Sequence, residues 1–472
     1  MDQNATIDRP TATDQRHPRD NFAPVEREVI VSGLIPRGDP LKGLNGTLYR
    51  DGPNPHFPRP DNHWFTGDGM LHAITLRDGA VSYRNRWVRT PKFLAEQQAG
   101  RALYGSFAGK LPDAPAGTQD DSGTANTNIV WHAGRLLALE EGHPPTEIGP
   151  LDLSRRGYAA MGGGPFTAHP KLDPVTGELL FFGYNASGPF TPTISFGVLD
   201  AAGALRRHDR FEAPYASMVH DFVVTERHAL FPILPLTGSM ERARQGLPPY
   251  AWEPEKGAYV GVMRRDGPTA GIRWFRGDAR YVFHVMNAWE DGGKIVADVM
   301  AYEEPPLFPR ADGSPGSPEK QSARLTRWTF DLAAGTDRFQ ATPIDDLAGE
   351  FPRIDDRRAG LPYRHGWIAS TSKPASREGY DSLAHIDVTT GQRRIFALSA
   401  GDGVSEPVFA PRGPNEGDGW LLAVVWRAAE ARSELLVFEA LDIERGPIAT
   451  VGLPQRVPFG FHGNWVSEEQ FA

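Results

Sequence analysis

The chain of 472 residues carries 50 basic and 59 acidic side chains, a formal net charge of -9, with no basic block or stripe of the kind that follows a nucleic-acid backbone, so nucleic-acid binding is set aside. It has no cysteine, which excludes disulfide scaffolding, thiolate nucleophiles and thiolate metal sites, leaves nitrogen and oxygen donors for any metal, and fits a cytoplasmic location. With 40% hydrophobic residues and 25 Phe, but also 51 Gly and 42 Pro, the composition is that of a turn-rich globular protein.

The opening "MDQNATIDRPTATDQRHPRDNF" is polar and has no apolar core of a signal peptide, so residues 1–25 read as a flexible arm and 26–472 as a single folded domain. Downstream, β-rich runs recur around Asp and Gly turn signals: "ITLRDGAVSYRNRW", "LDPVTGELLFFGY", "VLDAAGALRRHDRF", "WTFDLAAGTDRF" and "HIDVTTGQRRIFAL". In each, the Asp caps its own turn and the Gly takes positive φ, which predicts five hairpins of one style. Their scatter over most of the chain suits the outer hairpins of β-propeller blades, with a β-sandwich as the architectural alternative. Two segments break the pattern, 91–107 ("PKFLAEQQAGRALYGSF") and 238–257 ("GSMERARQGLPPYAWEPEKG"), and predict a helical and loop cap on one face. The apolar run "WLLAVVW" is too short to span a bilayer, which leaves at most transient membrane contact.

Four of the 14 histidines share apolar surroundings at what read as inner strand ends: "FTAHPK" (His169), "SMVHDF" (His220), "YVFHVMN" (His284) and "FGFHGNW" (His462). They are separated by 51, 64 and 178 residues, on the order of one, one and several blades of a repeat of roughly 45 residues. Equivalent positions on different blades face the central axis, where converging neutral imidazoles suit iron, copper, zinc or nickel. His17, His56, His143, His208 and His228 lie in charged or proline-rich surroundings and read as solvent-exposed, while His63, His72, His132, His365 and His385 stay undecided.

"LNGTLYRDGPNP" (44–55), "HWFTGDGMLHAI" (63–74), "FTAHPKLDPVTGEL", "MVHDFVVTE", "FHVMNAWEDG", "GEFPRIDDR", "SEPVFAPR" and "RVPFGFHGNW" occur in the order of the motifs of the carotenoid cleavage oxygenases, and the chain resembles that family from about Leu34 to Trp465. The resemblance implies an all-β, seven-bladed propeller with a helical and loop cap, and an Fe(II) ion held on the axis by His169, His220, His284 and His462. It further implies that Glu141, Glu350 and Glu406 stand behind the histidines, and that Thr127, in "GTANTN", lies near the iron. A carboxylate behind a ligating imidazole accepts its second N–H, which fixes the tautomer and aims the ring.

The implied reaction is cleavage of a conjugated C=C bond by O2 to two carbonyl products. It consumes all four electrons that O2 accepts and requires no organic cofactor, in keeping with "GGG" (162–164) and the "GDG" stretches, which read as turns rather than a dinucleotide fingerprint. In the stilbene- and phenylpropenoid-cleaving branch a tyrosine and a lysine grip the phenol oxygen. Here the tyrosine matches Tyr104, but Glu140 stands at the lysine position and would repel a phenolate. With Phe93, Leu94, Leu103, Phe107 and Leu247 in the cap, the reading leans to an apocarotenoid-like alkene, with stilbenoid or vinylphenol cleavage close behind. A metal-dependent hydrolase or isomerase, or a non-catalytic propeller, are the alternatives of other classes.

Overall fold

All five turn signals join antiparallel strands in a computed structural model of the protein, which describes residues 20–107, 109–371 and 379–471. Asp78 and Gly79 are both left-handed (φ 49° and 83°), the pair that a two-residue hairpin turn between Gly69–Arg77 and Ala80–Trp87 requires. In the other four the aspartate caps its own loop: Oδ1 of Asp173, Asp200, Asp331 and Asp387 each accepts two backbone N–H groups of the following residues at 2.8–3.1 Å.

The hairpins belong to a seven-bladed β-propeller. In chain order, sheet one contains Ile30–Leu34, Gly46–Pro53, Gly69–Arg77 and Ala80–Trp87; sheet two runs from Asn128–His132 to Arg155–Tyr158; and sheet three from Lys171–Leu172 to Leu205–Glu212. Sheet four runs from Val223–Val224 to Arg273–Gly277, sheet five from Tyr281–Asp291 to Gln340–Pro343, sheet six from Gly349–Ile354 to Gln392–Ala397, and sheet seven from Gly403–Val404 to Ala449–Gly452. The last strand, Gly463–Ser467, pairs with Gly46–Pro53 as the inner strand of sheet one, while Arg37–Gly38 pairs with Ala449–Gly452 in sheet seven, so both ends of the domain close the ring. One expectation is corrected: the "LDPVTGEL" turn joins the first two strands of its sheet, not an outer pair, because the same tight-turn chemistry serves any adjacent antiparallel pair.

The arm expected over 1–25 is shorter at its C-terminal end. Asn21 and Val25 are buried, with Asn21 Nδ2 donating to Val457 O (3.0 Å) and Val25 N to Asn54 Oδ1 (2.7 Å); residues 1–19 lie outside the described residues. The expected cap segments hold the helices Pro91–Ala99 and Met240–Arg244. The first begins at an N-cap, Thr90, whose hydroxyl accepts from Phe93 N, has Pro at its first position, and ends at left-handed Gly100 (φ 67°). Among the described residues no helix is long and apolar enough to cross a membrane.

Neighbouring blades are clasped by charge. Glu290 in sheet five accepts from Thr225 Oγ1 (2.7 Å) and Arg227 Nε (2.7 Å) and meets His228 Nδ1 (3.0 Å), all from sheet four. Burial raises its carboxyl pKa, but the donors of His228, Thr225 and Arg227 outweigh burial and lower it from 4.5 to about 2. The folded protein thus holds this proton less tightly than the unfolded chain, so the clasp stabilises fully above pH 4.5 and is lost as pH falls through about 2. Glu290→Gln should flatten the acid limb of a melting-temperature profile over that window, and an unchanged slope would remove the clasp from the account.

Candidate metal centre and adjoining cavity

Each of the seven sheets sends one residue to the hub. His462 immediately precedes Gly463–Ser467 in sheet one, His169 and His220 precede the inner strands of sheets three and four, and His284 lies within Tyr281–Asp291 of sheet five. Glu141 follows Arg135–Leu139 of sheet two, Glu350 lies in Gly349–Ile354 of sheet six, and Glu406 sits between Gly403–Val404 and Val408–Pro411 of sheet seven. The gaps of 51 and 64 residues are one blade each, and that of 178 is three.

Local backbone features aim these side chains. Tyr281–Asp291 shifts register on either side of Val285, beside His284, and Gly349–Ile354 does so after Glu350, where Phe351 takes φ 53°. Gly460 and Gly463 bracket His462 because the segment lies against Gly46–Pro53: a Cβ on Gly460 would meet Asp51 O at 2.8 Å, and one on Gly463 would meet Tyr49 O at 2.4 Å. His462 O there accepts from Asp51 N (2.8 Å), and His462 N donates to Thr127 O (3.1 Å).

The four imidazoles are buried, with Nε2 separations of 3.0 Å for His169 and His220, 3.2 Å for His220 and His284, and 3.1 Å for His284 and His462. Behind them, His220 Nδ1 meets Glu141, His284 Nδ1 meets Glu350, and His462 Nδ1 meets Glu406 at 2.9 Å. Among the described residues no carboxylate pairs with His169, so three glutamates serve three of the four rings. An Nδ1–H given to a carboxylate leaves Nε2 as a bare lone pair. Lone pairs converging at 3.0–3.2 Å repel one another unless a cation lies between them. Nitrogens about 2.1 Å from a common ion and at right angles stand about 3.0 Å apart, so the residues present can hold a metal ion.

The electrostatics fit a cation. Burial and the three neighbouring imidazoles push the His169 pKa well below the ordinary range, and burial, against the pull of Glu406, lowers that of His462 to about 4. Burial raises the Glu406 carboxyl, but His462, Arg353 and Arg50 outweigh it and hold it at about 2, as an anion. For His284 burial works against the charged ring, and Glu350 outweighs it and raises the pKa.

Polar staples lie just outside the ring. Buried Asp221 accepts from Phe222 N (2.7 Å) and, through Oδ2, from Val285 N (2.9 Å), and its Oδ1 pairs with Lys171 Nζ (2.6 Å). One carboxylate therefore joins the segments carrying His169, His220 and His284. Asn128 and Asn464 tie His169 to His462: Asn128 Nδ2 donates to Ala168 O (2.8 Å), and Asn464 Nδ2 to Asn128 Oδ1 (3.1 Å) and Ile129 O (2.8 Å).

His220, His284 and His462 face a cavity of about 700 Å³ whose wall includes Trp64, Phe65, Phe107, Phe190, Phe283 and Phe351. Of the five cap residues expected to form an apolar tunnel, Phe107 lines it; Phe93 and Leu103 are buried, while Leu94 and Leu247 are exposed. Thr127 lines the cavity, with its hydroxyl donating to Asn126 Oδ1 (2.9 Å). Tyr104 also lines it, placed by its own N–H and that of Leu103 donating to Glu96 Oε1 (3.1 and 2.9 Å); its hydroxyl donates to Gln119 O. Glu96 in turn pairs with buried Lys92, which also meets Asp68.

The remaining histidines correct the reading from surroundings. His56, His143, His208 and His228 are half-buried rather than exposed, and His17 lies outside the described residues. His143 lines the cavity beside Glu140, a place that its setting in "EGHPPTE" conceals, since flanking prolines suggest a surface loop. The one signal for it is its spacing, three residues after Glu140. His72 is buried against Tyr83 Oη (2.8 Å), His132 meets Gly177 O (3.1 Å), and His365 pairs with His385 (3.0 Å); none of these reaches the hub.

A propeller with this hub beneath an aromatic cavity has counterparts among known proteins. Residues 17–467 match the family model described as retinal pigment epithelial membrane protein, and the chain belongs to that family, the carotenoid cleavage oxygenases. It is an alkene-cleaving oxygenase of that type. Over 455 residues it is 39% identical to an isoeugenol monooxygenase of Pseudomonas nitroreducens, covering 93% of this chain and 94% of that protein. The crystal structure of Pseudomonas brassicacearum lignostilbene dioxygenase matches with a TM-score of 0.90 at 34% identity, covering 95% of this chain and 98% of that one. A variant of Synechocystis apocarotenoid oxygenase matches at 0.83 and 29%, covering 95% and 98%.

Proposed function

We propose that the protein is a non-haem Fe(II) oxygenase that cleaves the conjugated double bond of an aryl alkene, of stilbene or phenylpropenoid type, into two carbonyl compounds. The observation that carries this reading is the hub of four convergent histidines, three of them backed by glutamates, at the floor of an aromatic cavity. Similarity to the isoeugenol and lignostilbene enzymes favours the aryl class. An apocarotenoid is the second reading, supported by the aromatic lining and the likeness to the Synechocystis enzyme.

In this reading His169, His220, His284 and His462 hold the ion, and Glu141, Glu350 and Glu406 keep their partners in the ligating tautomer and orientation. A ferrous ion bound by four neutral nitrogens supplies the redox chemistry through which O2 and R–CH=CH–R′ become R–CHO and R′–CHO, with all four electrons coming from the alkene. The chain's own task is positioning. The aromatic walls hold the planar alkene beside the three rings that face the cavity and exclude water. Thr127, whose proton is committed to Asn126, offers only lone pairs to the cavity and governs what approaches beside His462. Tyr104, whose proton is committed to Gln119, is likewise an acceptor for a substrate hydroxyl.

Iron analysis after reconstitution, followed by turnover of isoeugenol, hydroxystilbenes and apocarotenals under labelled O2, tests this reading. One iron per chain, label in carbonyl products, and faster turnover of the aryl alkenes are expected. Turnover without O2 would point to hydrolysis or isomerisation and overturn it.

A further inference from the structure

The cavity wall beside Glu141 carries a charged cluster that the oxygen chemistry does not use. Glu140 accepts from Thr124 Oγ1 (2.8 Å) and Thr124 N (3.2 Å), and its Oε1 lies 2.6 Å from His143 Nδ1. His143 Nε2 stands 3.5 Å from Asp121 Oδ1. Asp121 is already engaged by Tyr158 Oη (2.9 and 2.7 Å) and Gly123 N (2.9 Å). Thr124, Glu140 and His143 all line the cavity, and two residues of chain bring His143 within about 7 Å, Cα to Cα, of Glu141, whose carboxylate meets His220.

We propose that His143, set between Glu140 and Asp121, is the specificity-determining residue that binds a neutral hydroxyl group on the aromatic ring of the substrate, and that the same cluster rejects anionic ring substituents. This inference rests on the aryl-alkene reading and adds the ring substituent to it.

Three observations carry it. First, His143 Nε2 has donor capacity to spare: its contact with Asp121 is at the limit of hydrogen-bonding distance, and Asp121 has stronger donors. Burial works against the charged ring, but Glu140 and Asp121 outweigh burial and raise its pKa, favouring the form in which both nitrogens donate. Second, a hydroxyl that accepts from His143 must give its own proton to something, and acceptors abound here: Glu140, Asp121 and the committed hydroxyl of Tyr104. Third, the charges sum to a negative field. The carboxylates of Glu140 and Asp121 face a single imidazole, Tyr158 is held neutral because burial and Asp121 raise its pKa, and the nearby cation Lys92 is neutralised by both Asp68 and Glu96. Arg155 lies over the Tyr158 ring, 5.0 Å from its centroid, and is not among the residues that line the cavity. A phenolate or carboxylate on the ring therefore meets repulsion, whereas a neutral phenol completes the network. A site built to pair with a hydroxyl discriminates against analogues lacking it, because its own polar groups are then left without partners.

The test compares kcat/KM for a 4-hydroxyaryl alkene, its methyl ether and its 4-carboxylate analogue, with an apocarotenal alongside, in the iron-loaded wild type, His143→Phe, His143→Gln and Glu140→Gln. The wild type should prefer the free hydroxyl over the methyl ether by about 10- to 100-fold, the range for a hydrogen bond to a charged group. In His143→Phe that preference should fall to about twofold or less, through KM and with iron content maintained, and His143→Gln, which keeps a neutral donor, should retain part of it. Glu140→Gln should raise the relative rate on the carboxylate analogue by at least about tenfold, as removal of a like charge close to an anion predicts, and it tests the idea independently if His143→Phe fails to fold. Hydroxyl preference intact in His143→Phe, or no gain for the carboxylate in Glu140→Gln, overturns the inference while leaving the aryl-alkene reading standing. Cleavage of the apocarotenal alone would instead sink that reading, and this inference with it.

Discussion

His284→Ala is expected to lose most of its iron after reconstitution and to lose turnover by at least about three orders of magnitude, because Fe(II) is among the more weakly bound divalent transition ions and, on the proposed reading, the substitution takes away one of its four imidazoles. His284 is the pivot of the ring: its Nε2 lies 3.2 Å from that of His220 and 3.1 Å from that of His462, so its loss opens the cluster from the inside. The substitution also strands Glu350, a buried carboxylate whose partner in the hub is His284 Nδ1. Breaking a buried pair by removing one partner costs roughly 3–5 kcal/mol, so the variant should melt earlier as well. Elemental analysis, thermal unfolding and turnover on the same sample separate the two effects, and iron together with full activity in His284→Ala would remove these histidines from the reaction.

Much of this hub was legible in the chain because a propeller repeats one geometry. Strand ends at equivalent places in successive blades must face the axis, so four histidines in like apolar settings, separated by whole numbers of blades, converge without any knowledge of side-chain contacts. The glutamates were not legible by the same logic. Glu141 follows a second strand, Glu350 sits at a bulge and Glu406 between two short strands, so no shared local pattern marks them, and only the likeness to the family pointed to them. His143 shows the opposite failure. Proline and charge around a residue predict where its backbone runs, along the surface, and say nothing of the side chain turning inward to meet Glu140. Asp221 was invisible for a related reason: two of its three contacts are to backbone N–H groups, one of them 64 residues away, and a backbone donor carries no sequence signal.

That residue carries the second large expected effect. Asp221→Ala should weaken metal binding by about 10- to 100-fold, the usual consequence of losing a group that orients the ligands from behind. The physical reason is that one carboxylate takes the N–H groups of Phe222 and Val285 and the ammonium of Lys171, so the three segments that carry His169, His220 and His284 share one anchor. Without it, two backbone donors lose their acceptor, at about 1–3 kcal/mol each where they stay buried, and Lys171, with a side chain 25% exposed, swings towards solvent. Lys171→Met separates the contributions, since it removes the ion pair and keeps both hydrogen bonds from the backbone N–H groups to Asp221; its metal affinity should lie close to that of the wild type. Competition against a chelator of known affinity reads the binding directly, and thermal unfolding of the metal-free proteins reads stability. Wild-type affinity in Asp221→Ala, with only the melting temperature lowered, would mean that Asp221 braces the blades without setting the positions of the histidines.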